Sequence, residues 1–319
     1  MCAGSSSRFS PHGCKFLHPI SLSQKTTILE LVFRRLERNC GGNKSMPIII
    51  SCNDDNIDAI QEYLRGKNYF GFHSNKIRYC LTYSLAVFDG RGKYCVSGQM
   101  RMVKRPAGTA AAAEQMLNEA TFKYLGKEGV EFLCFSGMEN LLEEPCDPLL
   151  LGMMQTEGRR GAGKCVNSLF FGEQLPRYYL EQQSRRTHLL SEQDFGCLLD
   201  ANMLSKLPVA TNSMVFRMSS LVEIIEDYQS TLFLAAKYHV IAKDEQVYNP
   251  RLYHVEMRSC FSFEKDLRDI IACIDQPLML KVDRLKEYAP IISKSKEYSL
   301  EAAVAHYEAR LEKDLQGRG

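Results

Sequence analysis

Apolar positions along the chain switch repeatedly between two periods. From Lys25 to Arg38 they fall at Ile28, Leu31, Val32 and Leu36, the spacing of one helix face. Met46 to Cys52 holds Pro-Ile-Ile-Ile-Ser, a continuous apolar run that predicts a short strand buried on both sides. Asn53 and Asp54 are positioned to cap a helix over Ile57 to Leu64. Ile77 to Phe88 predicts a further strand, closed by the turn Asp89-Gly90-Arg91-Gly92. Ala110 to Leu125 predicts an Ala-rich helix that ends at Gly126-Lys127-Glu128-Gly129. Val130 to Phe135 is again a buried strand. Strands alternating with helices predict an α/β chain with a Rossmann-like, mostly parallel central sheet and flanking helices. In such sheets ligands bind beyond the C-terminal strand ends.

After Gly152 the pattern loosens. Glu157-Gly158-Arg159-Arg160-Gly161-Ala162-Gly163 reads as a mobile loop. Leu207 to Phe216 predicts a strand, followed by a helix over Ser219 to Tyr228. Leu300 to Leu315 places Leu300, Val304, Tyr307 and Leu311 on one face, a helix that docks on the core. Residues 1–230 are expected to form the main domain. Residues 231–319 are expected to form a small, α-rich C-terminal extension packed on it. No internal repeat or low-complexity linker interrupts the chain.

Composition narrows the classes. With 319 residues, 45% hydrophobic, the chain can bury a large core. A net charge of +2 gives no footprint for nucleic acid. No apolar run approaches the roughly 20 residues that span a bilayer. The Ser-rich start does not read as a signal peptide. The twelve cysteines form no C-x-x-C pair and sit in apolar stretches, as a reduced, cytoplasmic chain would have them. The seven histidines show no zinc-ligand spacing.

The densest chemistry lies at the start. Gly4, Ser5, Ser6 and Ser7 form a small-residue loop whose backbone N–H groups can converge on an anion. Arg8 can clamp phosphate oxygens as a bidentate fork, and Lys15 adds a point charge seven residues later. The set suits a nucleoside triphosphate attacked at its α-phosphate. The plain alternative is a Ser-rich start with scattered charges. No Gly-Lys-Ser/Thr follows, so this is not a Walker A loop, and a single glycine is not a dinucleotide fingerprint.

Ala3-Gly4 followed by Arg8 and Lys15 resembles the signature loop of sugar nucleotidyltransferases. Later segments resemble, in order, the eukaryotic-type UDP-sugar pyrophosphorylases, the UDP-N-acetylglucosamine and UDP-glucose enzymes. These segments are Pro47 to Ser51, Asn68-Tyr69-Phe70-Gly71-Phe72, and Pro106-Ala107-Gly108-Thr109-Ala110. Further along come Gly137-Met138-Glu139-Asn140-Leu141-Leu142 with Asp147-Pro148, then Leu189 to Glu192, and Ala210 to Ser213. The likeness covers roughly residues 1 to 230. It implies a uridylyltransferase that joins UTP and a sugar-1-phosphate, releasing a UDP-sugar and pyrophosphate. It further implies that Gly4 to Ser7 and Arg8 hold the triphosphate and that Lys15 stabilises the transition state. Gly108 and Thr109 would read the base, Asn140, Glu192 and Asn212 the sugar, and Glu139 would hold Mg2+.

Three departures stand against that pattern. Glu139 replaces an aspartate, Thr82 lies near the place of a base-reading glutamine, and Tyr253-His254-Val255-Glu256 replaces a segment carrying a lysine. Arg251 or Arg258 is the available substitute for that lysine. The chain also begins at Met1-Cys2, with almost no strand ahead of its loop, so either a segment precedes it or the first strand is very short. These features motivate an alternative: an inactive or weakened nucleotide-sugar-binding protein of the same fold. A cytidylyl- or guanylyltransferase would share the first loop but not the Tyr-Phe-Gly and Asn-Leu-Leu segments.

Overall fold

The hydroxyl of Thr27 accepts the Glu30 backbone N–H at 3.1 Å and starts α1, Ile28–Asn39. The computed structural model describes residues 14–20, 26–116, 118–171, 173, 175–181, 187–190, 201–230, 238–292 and 296–316. Helix α1 buries Leu29, Val32, Phe33 and Leu36 against β1, Ile48–Cys52. After α2, Ile57–Gly66, the chain returns as β2, Ile77–Leu81, parallel to β1 from Ile48↔Ile77 to Cys52↔Leu81. Asn56, rather than Asn53 or Asp54, is the N-cap of α2. Between α2 and β2, Asn68, Tyr69, Phe70 and Gly71 all take positive φ. This left-handed turn is costly for side-chain-bearing residues. The Phe70 ring offsets part of that cost by packing 5.2 Å from Phe33.

The expected strand Ile77 to Phe88 is three short pieces: β2, β3 (Ser84–Ala86) and β4 (Phe88–Asp89). Thr82 ends β2 because its N–H bonds the Cys52 carbonyl at 2.8 Å while its hydroxyl is tied to Ser51 at 2.6 Å. Strand β3 then pairs with β5, Lys104–Pro106. The expected single helix from Ala110 is likewise two, α3 (Thr109–Met116) and α4 (Glu119–Lys127). Asn118 restarts it by accepting the Thr121 N–H at 2.9 Å.

The largest sheet is built from β6 (Phe132–Phe135), β7 (Gly161–Val166), β8 (Arg177–Leu180), β9 (Thr187–Leu190), β10 (Val209–Arg217) and β13 (Leu278–Lys281). Helices α5 (Pro148–Glu157), α6 (Ala201–Lys206) and α7 (Met218–Ser230) connect or flank its strands. A hairpin of β11 (His239–Asn249) and β12 (His254–Glu264) pairs with β4. One edge of β10 pairs with β7, while its other edge is shared by β6 and β8. Among the described strands only β1–β2 and β7–β13 are parallel; every pairing of β10 is antiparallel. The fold is therefore α/β, but its sheets are mixed and small, not mostly parallel. Alternating elements predict layering; long-range pairing decides strand direction.

The stretch read as a mobile loop contains the start of β7, all six residues of which are buried. Residues beyond 230 contact the rest of the chain at the main sheet and at the α1–β1 core. Strand β13 extends the main sheet, and the helix Leu300–Gln316 lays Leu300, Val304 and Tyr307 on the α1–β1 core. Leu311, at the far end of that helix face, stays 40% exposed. Among the described residues no helix is long and apolar enough to cross a membrane.

Candidate functional site

Past Phe135 the chain leaves β6 and passes close over β10. The Gly137 N–H donates to the Asn212 carbonyl at 3.1 Å. A Cβ at position 137 would lie 2.6 Å from the Asn212 Cβ and 2.8 Å from Glu139 Oε1, so only glycine fits. On the β10 side the pairing with β7 shifts register between Ala210 and Met214. This irregularity spans Thr211, Asn212 and Ser213 and re-aims their side chains, as bulges do. The Asn212 Nδ2 donates to the Glu139 carboxylate, while its Oδ1 is buried without a hydrogen-bond partner. Glu139 and Asn212 are both half-buried.

Beneath this pair lies a polar network. The Asn140 Oδ1 accepts from the backbone N–H of Leu142 at 3.1 Å and of Ala289 at 2.8 Å. Its Nδ2 donates to the Glu287 carbonyl at 2.7 Å and to Glu143 at 3.2 Å. The Ile291 N–H donates to the Glu139 carbonyl at 2.7 Å, so the Glu139 turn is pinned to residues 287–291. Lys164, on β7, pairs with Glu287 at 2.6 Å and with Asp147, the N-cap of α5. Burial alone would lower the Lys164 pKa; the field of Glu143 and the bonds to Asp147 and Glu287 outweigh it, and the pKa is raised. Burial pushes the Glu143 carboxyl up, against the pull of Lys164.

The sequence-predicted residues thus divide. Glu139, Asn140 and Asn212 come together, but Asn140 has its amide committed within the protein and acts as a structural pin. Gly108 and Thr109 meet the chain just past β12. At Gly108, φ is +96°, and a Cβ there would meet the Lys265 carbonyl oxygen at 2.3 Å. Its glycine is needed for that close backbone approach. The Thr109 hydroxyl accepts the Leu267 N–H at 2.9 Å. Lys265 in turn binds Glu114 at 2.9 Å. Thr82 is buried on Ser51, and Arg258 is paired with Glu256 and lies 3.8 Å from Asp89. Gly4, Ser5, Ser6, Ser7, Arg8 and Glu192 lie outside the described residues; Lys15 opens a short 3-10 turn, Lys15–Leu17. Lys164 is the residue that the sequence reading missed. Its signal was a lone cation inside the small-residue run Gly161-Ala162-Gly163-Lys164-Cys165-Val166.

A magnesium ion needs few protein ligands, because it keeps waters and takes substrate phosphate oxygens. The half-buried Glu139 carboxylate supplies a hard oxygen donor, so it fits such an ion. Among the described residues no group of three or more His, Cys, Asp or Glu side chains could hold a metal by itself.

No family model matches the chain. A UDP-N-acetylglucosamine diphosphorylase 1 of Arabidopsis thaliana is 22% identical over 118 residues, which cover 37% of this chain and 23% of that relative. The match thus spans less than a quarter of the relative's length. Among solved structures, one described as a UDP-N-acetylglucosamine pyrophosphorylase of Entamoeba histolytica superposes with a TM-score of 0.84 at 16% identity. That match covers 100% of this chain and 81% of the other. The Trypanosoma brucei UDP-N-acetylglucosamine pyrophosphorylase in complex with inhibitor gives 0.75 at 16% identity, covering 95% and 63%. A mutant of Leishmania major UDP-glucose pyrophosphorylase in complex with UDP-Glc gives 0.67 at 13% identity, covering 91% and 62%. At these identities the structural likeness is one of fold. In its fold, as in the order of its sequence segments, the chain resembles the UDP-sugar pyrophosphorylases.

Proposed function

We propose that the chain is a UDP-sugar pyrophosphorylase, joining UTP and a sugar-1-phosphate to give a UDP-sugar and pyrophosphate. The observation that carries this reading is the Glu139–Asn212 pair, set by the β10 irregularity and the turn after β6, with a buried amide oxygen that has no protein partner. Such an oxygen is costly unless something donates to it, and a sugar hydroxyl is a suitable donor. Protein catalysis here is positioning and charge neutralisation. Asn212 orients the sugar, and Glu139, fixed by the Ile291 and Asn212 bonds, presents its carboxylate towards a cation. Glu139 would hold Mg2+, which would supply neutralisation of phosphate charge. Gly4 to Ser7, Arg8 and Lys15 hold the triphosphate in this reading, and Lys15 meets the charge that develops at the α-phosphorus. Glu192 contributes a second sugar contact. The site is expected to work in the cytoplasm.

The test is pyrophosphate release from UTP with a panel of sugar-1-phosphates. Asn212→Ala is expected to raise KM for the sugar-1-phosphate about tenfold while leaving KM for UTP unchanged. Glu139→Ala is expected to lower kcat by about a hundredfold or more and to abolish the magnesium response. Failure of every sugar to release pyrophosphate would overturn the assignment. UDP-sugar binding without turnover would replace it with the pseudoenzyme reading.

A further inference from the structure

Two turns meet at one end of the β11–β12 hairpin. One is the hairpin's own, where the Leu252 N–H donates to the Asn249 carbonyl at 3.3 Å. The other runs from Ser97 to Met100 and is closed by the Met100 N–H on the Ser97 carbonyl at 2.9 Å. The Tyr248 N–H donates to the Val96 carbonyl at 2.7 Å, and a Cβ at Gly98 would lie 2.7 Å from Val255 Cγ2. The two turns therefore sit side by side. Each carries an apolar residue on backbone that side-chain-bearing residues rarely adopt: Met100 at φ 58° and Tyr253 at φ 54°. Met100 is 69% exposed and Tyr253 82%. Around them Tyr94, Met102, Leu252, Val255 and Met257 are exposed as well. A contiguous apolar surface of this kind marks a place where something docks.

The charge around the tips has one sign. From Arg91 to Ala113 the chain carries five cations and no acid. Arg105 is paired with Glu245. The side chains of Arg91, Lys93, Arg101 and Lys104 are exposed and form no ion pair among the described residues. Exposed Arg251 adds a further cation in the neighbouring turn. The acids close by are already committed. Asp89 accepts the backbone N–H groups of Arg91 and Lys93, each at 2.9 Å. Glu256 is held by Arg258 and by the Asn249 Nδ2 at 3.1 Å.

These two features together select the partner. Single side chains on turn tips do not make the packed pocket that a protein partner grips. They suit a medium that yields around them while lysine and arginine reach its charged surface. A nucleic acid would answer the cations and leave the apolar tips in water. A neutral bilayer would answer the tips and leave the cations without partners. Anionic headgroups over hydrocarbon answer both, and tyrosine is favoured at that boundary. We infer that the face formed by residues 94–102 and 252–257 docks peripherally on an anionic membrane surface. Met100 and Tyr253 enter the headgroup layer, and Lys93 and Arg101 pair with lipid phosphate and carboxylate groups.

The inference makes no use of the catalytic reading, so its test reads binding and not turnover. The probe is a vesicle of phosphatidylcholine with about one-third phosphatidylserine. The chain has no tryptophan, so Tyr253→Trp is a single reporter in the full chain. Its emission is expected to shift to the blue with these vesicles, while Val222→Trp, exposed on α7 at the main sheet, stays unshifted. Sedimentation with the vesicles is expected to weaken at least tenfold when phosphatidylserine is left out, or when salt rises from about 0.1 M to about 0.5 M. Met100→Asn with Tyr253→Asn keeps residues that tolerate the local backbone. Lys93→Glu with Arg101→Glu reverses the charge. Each pair is expected to weaken vesicle binding at least tenfold at an unchanged unfolding midpoint. Absence of vesicle binding by the unaltered chain would overturn the inference, as would equal binding to neutral vesicles or an equal shift of Val222→Trp. Undiminished binding by both variant pairs would do the same. Retention of a Glu-Tyr copolymer without vesicle binding would overturn the membrane and give the face to an acidic protein.

Discussion

Gly108–Thr109 and Glu139–Asn212 looked alike as sequence signals: each lies in a segment resembling a ligand-binding motif. The structure treats them oppositely. At Gly108–Thr109 the protein's own backbone takes up part of the available chemistry. Lys265 backbone fills the space a Cβ would need, and Leu267 takes the threonine hydroxyl. At Glu139–Asn212 the side chains satisfy each other only in part, and an amide oxygen is left over in a buried position. A binding residue is thus distinguished less by its type than by what its own fold leaves unbonded.

The strongest way to break this contrast is at the support beneath Glu139. Lys164→Met removes the only cation paired to Asp147 and Glu287 among the described residues and leaves those carboxylates facing buried Glu143. Unpairing a buried charge in this way is expected to cost about 3–5 kcal/mol in denaturant unfolding. A loss below about 1 kcal/mol would mean that the network is not a support. Gly108→Ala is expected to come next, at about 3 kcal/mol, because the added Cβ meets backbone and not a flexible side-chain end. Unchanged stability with weakened UTP binding would return Gly108 to the role that the resemblance implied.

The smallest effect concerns pH. His239 bonds Asp269 at 2.8 Å on the helix Leu267–Ala272, which continues from the Gly108 contact. That bond raises the His239 pKa against the effect of burial, with Asp266 adding to the rise and Arg268 opposing it. A histidine whose folded pKa is raised contributes stability in full below its unfolded value, about 6.5, and loses it as pH climbs through the folded value. The unfolding midpoint should therefore fall slightly from pH 6 to pH 8, and His239→Gln should flatten the slope. Ligand affinity at Asn212 should not follow it. If it does, the two regions are coupled.

The parts legible in the sequence are those where side-chain bulk reports position. Ile48 to Cys52 and Phe132 to Phe135 are apolar runs and became strands, and so did Val209 to Phe216 with Thr211-Asn212-Ser213 at its centre. Strand β7 was not legible, because Gly161 and Gly163 look like loop residues. They are small because Ile274 and Met279 press on them. The broken helix at Asn118 was decided by one cap, and the antiparallel pairings of β10 by contacts that no local pattern reports. In the site, residue types were readable but their commitments were not. Nothing in the Asn140 segment announces that its amide serves residues 287 and 289.

Strand β10 holds β6, β7 and β8 at once, and its irregularity carries Asn212. Amide hydrogens in a strand gripped on both sides exchange with solvent only through openings close in free energy to global unfolding. Asn212 sits in the irregularity between two stretches of β10 that are each held on both sides. A ligand held by Asn212 and Glu139 needs the folded arrangement of β10 and the turn after β6. Its binding energy must appear almost undiminished as resistance of the entire fold to unfolding, growing as RT ln(1 + [L]/Kd) with ligand concentration.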